Sequence, residues 1–100
     1  MSFAGFGALY AGREEEAVVW ANRSIDLKPN HAVAYLLLAA ALARLGRVEE
    51  ARDAATAALQ FSPGYTIARD RSMWIGDNPV HLAARERLYE AWRMAGVPEE

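Results

Sequence analysis

Gly12-Arg13-Glu14-Glu15-Glu16-Ala17 returns as Gly46-Arg47-Val48-Glu49-Glu50-Ala51, 34 residues further along the chain. The register carries on without a gap. Ala21 falls on Ala55 and Pro29 on Pro63, while Ile25 on Leu59 and Leu27 on Phe61 keep their apolar character. Self-similarity at a fixed period of this length marks stacked helix–turn–helix units, each burying its apolar face against the next.

Every matched residue has a physical task. Gly12 and Gly46 sit where a first helix must end in a left-handed backbone, which glycine adopts without a Cβ penalty. Ala17 with Ala21, and Ala51 with Ala55, lie four apart and place methyl groups on one helical face, so paired helices can approach closely. Pro29 and Pro63 stop the second helix of each unit, and Asn30 is placed to cap the next one. The expected helices are about 2–11 and 13–27, then 31–45 and 47–61. A third unit, about 65–75 and 79–95, departs from the pattern. It breaks at Gly76-Asp77-Asn78-Pro79, with Pro79 opening the closing helix and Gly96 ending it. On that helix Ala84, Leu88, Ala91, Trp92 and Ala95 form an apolar stripe, and Arg85, Arg87, Glu90 and Arg93 a polar one.

The unit from His31 to Pro63 resembles the tetratricopeptide repeat. Tyr35 stands where that family favours tryptophan, and Leu38, Ala39, Leu42, Gly46, Ala51, Ala55, Ala58 and Pro63 match its other signature places. The resemblance implies an all-α fold, an antiparallel helix-hairpin solenoid (an α-α superhelix) of about six helices. It would form a single domain over 1–100, with a partial repeat at 1–29, a complete one at 30–63, and a degenerate repeat plus capping helix at 64–100. In the family's register Met1 falls inside a repeat, as expected of a piece of a longer array.

A narrower resemblance rests on Leu9-Tyr10-Ala11-Gly12-Arg13, on Ser62-Pro63-Gly64-Tyr65, and on the tail from Asp77-Asn78-Pro79 through Arg85-Glu86-Arg87 to Ala95-Gly96-Val97-Pro98-Glu99. These look like bacterial nucleotide cyclases bearing C-terminal tetratricopeptide repeats. The implied role is a protein-interaction scaffold, the regulatory or assembly module of such a cyclase. The alternative is a self-association or capping module of a larger signalling or transcription-regulator protein.

In tetratricopeptide arrays the first helix of each unit lines a concave groove. Carried onto this sequence, the lining is Phe6, Leu9 and Tyr10, then Val33, Leu36, Ala40, Ala43 and Arg44, then Ile67, Asp70 and Trp74. Some family members grip a peptide's terminal carboxylate with lysine, asparagine and arginine. Here the matching places hold Ser2, Phe6, Leu36, Ala40, Asp70 and Trp74, so that clamp is missing. An apolar lining suits an amphipathic or hydrophobic protein segment, and the same exposed surface admits a homodimer.

Composition narrows the remaining classes. Hydrophobic residues make up 53% of the 100, yet mean hydropathy is only −0.08, because alanine supplies much of that share. The longest apolar run, Ala32 to Ala43, falls short of the roughly 20 residues a membrane-spanning helix needs, and the start lacks a basic region of secretory type. No cysteine is present, which removes disulfides and thiolate metal ligands and points to the cytoplasm. Net charge is −2 with both signs scattered, so the basic footprint of a nucleic-acid binder is missing.

Nor do the residues suggest catalysis, metal or cofactor binding. His31 and His81 are fifty positions apart, and neither has a ligand at metal-binding spacing. Glu14, Glu15 and Glu16 read as acids in a first helical turn, where the macrodipole favours negative charge. Gly5-Phe6-Gly7 lacks the lysine and preceding strand of a phosphate loop, and no serine has a histidine placed to activate it.

Overall fold

The computed structural model describes residues 7–9, 11–73 and 79–100, with side chains for all of these except 73 and 79–82. Among the described residues the chain is helical and contains no strand. A helical segment at 7–9 (α1) is followed by α2 (Glu14–Leu27), α3 (Ala32–Arg44), α4 (Val48–Phe61), α5 (Ile67–Met73) and α6 (Pro79–Ala95). No helix is long and apolar enough to cross a membrane among the described residues.

The 34-residue repeat of the sequence is also a repeat of backbone geometry. Gly12 has φ +80° and Gly46 φ +82°. Arg13 N–H donates to the Ala8 carbonyl at 2.8 Å, and Arg47 N–H to the Leu42 carbonyl at 2.9 Å. Gly12 N–H reaches Leu9 at 3.1 Å, as Gly46 N–H reaches Ala43. These paired bonds, six-to-one and five-to-two around a left-handed glycine, close the last turn of α1 and of α3. The same motif ends α6, where Gly96 has φ +92° and Val97 N–H donates to the Trp92 carbonyl at 2.9 Å.

The other end of each unit matches as well. α2 and α4 each contain 14 residues and stop at Lys28 and Ser62, with φ −141° and −142°. Both residues precede a proline, whose ring drives its predecessor out of the helical region, so the helix closes one residue earlier than proline alone requires. His31 N–H then bonds the Lys28 carbonyl and Tyr65 N–H the Ser62 carbonyl, both at 3.1 Å. Even a surface pair recurs: Arg13 meets Glu16 as Arg47 meets Glu50. Asn30, expected as a cap, is not one. His31 occupies the N-cap of α3, and no side chain caps that end.

α3 is the central helix. It packs against α2, α4 and α6, and Ala34, Leu36, Leu37 and every residue from Ala39 to Ala43 are buried. A helix apolar around most of its circumference belongs at the centre of a bundle, and the alanines let three neighbours come close. Ala17, Ala21, Ala51 and Ala55 are all buried, as their four-residue spacing requires.

The third unit is built differently. α5 is described over seven residues, Ile67–Met73. Its free first-turn amides find partners elsewhere. Ile67 N–H donates to the Pro98 carbonyl and Ala68 N–H to Glu99, while Thr66 Oγ1 accepts from Arg69 N–H. The C-terminal segment thus caps α5, and it is α6 that packs across α3 and α4.

Candidate functional site

Of the eleven residues expected to line a groove, Phe6, Tyr10 and Trp74 lie outside the described residues. Leu9, Leu36, Ala40, Ala43, Ile67 and Asp70 are buried within the chain, none more than 4% exposed. Val33 and Arg44 are half-buried.

The face carrying Leu36 is covered by α6. Trp92, itself 1% exposed, donates its Nε1–H to the Leu36 carbonyl at 2.9 Å, using a lone pair that the helical ladder leaves spare. Its ring meets Tyr65 edge-on at 5.9 Å between centroids and Tyr89 at 5.8 Å. Leu88, Ala84, Ala91 and Ala95 are buried with it, so the apolar stripe expected of the closing helix is turned inward.

Arg44 is turned toward the first unit. Its guanidinium donates to the Leu9 carbonyl at 3.1 Å and pairs with Glu14 at 2.9 Å, both side chains being 20% exposed. One arginine therefore satisfies a carbonyl at the end of α1 and holds the first turn of α2. It joins unit to unit.

Among the described residues, Asp70 is charged and buried. Tyr65 OH donates to Oδ1, while Tyr89 OH, at 2.7 Å, and the Arg85 guanidinium both donate to Oδ2. The Asp70 and Arg85 side chains are 6% and 12% exposed, so this is an ion pair removed from water. Burial raises the ionisation of Tyr65 far above the ordinary phenol range, and its hydrogen bond to the Asp70 carboxylate adds to the effect. Tyr89 is raised for the same first cause, with Arg85 acting in the opposite direction. Arg71 lies over the Tyr89 ring at 4.8 Å and pairs with Glu86 at 3.0 Å, so a second arginine closes the outer side. Both carboxylate oxygens are engaged, and no buried side-chain polar atom among the described residues lacks a partner. The cluster ties α5 to α6.

Tyr65, Arg85 and Tyr89 were not among the expected site residues, and Arg85 was assigned to the polar side of its helix. A signal existed. An acid on the same turn as Ile67 needs a buried donor, and Arg85 and Tyr89 share one face at four-residue spacing.

The described residues contain no group of three or more histidine, cysteine or acidic side chains that could hold a metal ion. An open depression lined by Glu15, Val18, Leu45 and Arg47 lies between α2 and the α3–α4 turn, its walls of mixed charge and shallow. Large apolar side chains remain exposed at Val19, Leu27, Phe61 and Met94. No family model, curated protein or solved structure matches the chain.

Proposed function

We propose that the chain is a protein-interaction module of tetratricopeptide type, with no catalytic role of its own. The observation that carries this reading is the repetition of backbone geometry at 34 residues. Two glycine-closed helix ends and two pre-proline stops superimpose in sequence phase. Modules of this kind work by presenting a shape, since each unit contacts only its neighbours and the array leaves extended surfaces for another chain. The resemblance of the tail, from Asp77-Asn78-Pro79 to Val97-Pro98-Glu99, supports placing the module beside a bacterial nucleotide cyclase.

The test is selection of binders from a displayed library of amphipathic helical peptides, followed by amide-exchange mapping on the full chain. Enrichment of peptides that protect α3 or α4 is the expected result. Failure to enrich any sequence above an unrelated helical bundle would remove the interaction reading. A second reading, self-association, is favoured by Leu27, which is 85% exposed at the end of α2. Light scattering that reports a monomer at millimolar concentration would dispose of it.

A further inference from the structure

Of the four large hydrophobic side chains exposed among the described residues, three stand at matching helix ends. Leu27 is the last residue of α2, Phe61 the last of α4, and Met94 lies one before the end of α6. The first two are 34 residues apart and the second two 33. Contacts bring these ends together. The Pro29 carbonyl, just past α2, accepts from Tyr35 OH at 2.8 Å. In the first turn of α3 the Tyr35 ring stacks on Phe61, 5.6 Å between centroids. One residue on, the Leu36 carbonyl receives the indole N–H of Trp92, two positions before Met94. The C-terminal ends of α2, α4 and α6 thus gather round the start of α3, and each offers one apolar rung to water.

We infer that this edge is the face of a two-fold homodimer, with the end of α2 in each copy set against the end of α6 in the other. The inference rests on the self-association reading and names its surface and register. A ladder with near-equal steps on either side of Phe61 is its own complement about a two-fold axis through that rung. Phe61 then meets Phe61, and Leu27 of one copy meets Met94 of the second. Charge selects the same register. Asp26 and Lys28 flank Leu27, are exposed, and form no ion pair among the described residues. Near Met94 lie Arg93 and Glu99, paired with each other and exposed, followed by exposed Glu100. Across the axis Lys28 faces Glu99 and Glu100, and Asp26 faces Arg93. An axis along the ladder would instead set Lys28 against Lys28, which like charge disfavours. The area suffices for a weak dimer. Leu27 is 85% exposed, Phe61 47% and Met94 48%. At roughly 200 Å² for a whole large side chain, these fractions bury about 700 Å² over two copies. Exposed Pro29, Pro63 and Pro98 extend the edge toward the about 1,200 Å² at which specific interfaces begin.

Lys28 is the chain's one lysine, so a lysine-to-carboxylate cross-link has a single side-chain origin. The full chain, mixed one to one with its ¹⁵N-labelled form, is coupled with a zero-length carbodiimide and digested. Mixed-isotope peptides joining Lys28 to Glu99 or Glu100 are the expected product. Mixed-isotope products that join Lys28 only to Asp26 or to Glu14–Glu16 would overturn the register. Sedimentation equilibrium then tests the surface. Leu27→Asp changes a side chain already in water, so the circular dichroism and Tm should stay those of the parent. Because a two-fold dimer meets each substitution twice, its dissociation constant should rise about a hundredfold. Lys28→Glu should weaken association about tenfold, and adding Glu99→Lys with Glu100→Lys should restore it. A dimer indifferent to Leu27→Asp would refute this edge while leaving self-association standing. A parent chain monomeric at millimolar concentration would remove both. Selected peptides that protect residues 27–35 of a monomeric chain would assign the edge to another protein and overturn the homodimer.

Discussion

Replacing Arg85 by methionine removes the cationic partner of a carboxylate that water does not reach. The Asp70 side chain is 6% exposed and that of Arg85 12%, so solvent screening supplies little compensation. Breaking one side of such a pair costs about 3–5 kcal/mol, most of it the penalty of the charge left behind. Tyr65 and Tyr89 still donate to Asp70, which places Arg85→Met near the lower end, about 3 kcal/mol. In a domain of this size that is a fall in Tm of about 12–24 °C. Asp70→Asn withdraws one carboxylate from the guanidinium and leaves one tyrosine hydroxyl short of an acceptor, a loss of about 2–3 kcal/mol. With both replaced, neither charge of the Asp70–Arg85 pair is left behind, so the double variant should lose about 3 kcal/mol, well short of the sum. The coupling, about 2 kcal/mol, is the quantity to measure. Urea unfolding followed by far-ultraviolet circular dichroism gives it directly, provided the m-values agree. An Arg85→Met variant within about 0.5 kcal/mol of the parent, or strict additivity, would refute the claim that this network holds the third unit.

Two further predictions follow from local geometry. Gly12→Ala and Gly46→Ala each force a side chain into a left-handed backbone with open space around it, so the cost is conformational, about 1–2 kcal/mol apiece. Asparagine at either position should recover part of the loss, and thermal unfolding of the four variants checks both claims. The pH dependence comes from the buried phenols. Tyr65 and Tyr89 ionise at higher pH folded than unfolded, so their stabilisation is complete below the unfolded phenol value of about 10 and is lost as pH rises beyond it. Ultraviolet titration should therefore find that Tyr65 and Tyr89, of the four tyrosines, ionise only as the helices unfold. Smooth ionisation of all four in the folded chain near pH 10 would contradict it.

The helices of the repeated part were legible because their ends are written in residues with hard backbone requirements. Gly12, Gly46 and Gly96 admit a positive φ, and Pro29 and Pro63 restrict the residues before them. Expected and observed limits differ by about one residue: α3 runs Ala32–Arg44 against 31–45, and α4 Val48–Phe61 against 47–61. The candidate site was less legible, because burial is a tertiary property. Leu36 and Ala40 are apolar whether they face a partner or a neighbouring helix, and only the placement of α6 settles which. Asp70 was expected in the groove lining, and it is instead buried. Its partners Arg85 and Tyr89 lie beyond Gly76-Asp77-Asn78-Pro79, and no short-range pattern joins them.

A gapless repeat makes one demand that no generic helical bundle makes: a further unit can be added in register. Inserting a second copy of residues 30–63 after Pro63 places a new hairpin between α4 and α5. Stacked repeats in phase predict that helicity per residue is kept and that Tm rises by about 5 °C or more, at least about 1 kcal/mol from one added interface. An insert that lowers Tm, or that dilutes helicity in proportion to its length, would show that the 34-residue register is not the unit of this fold.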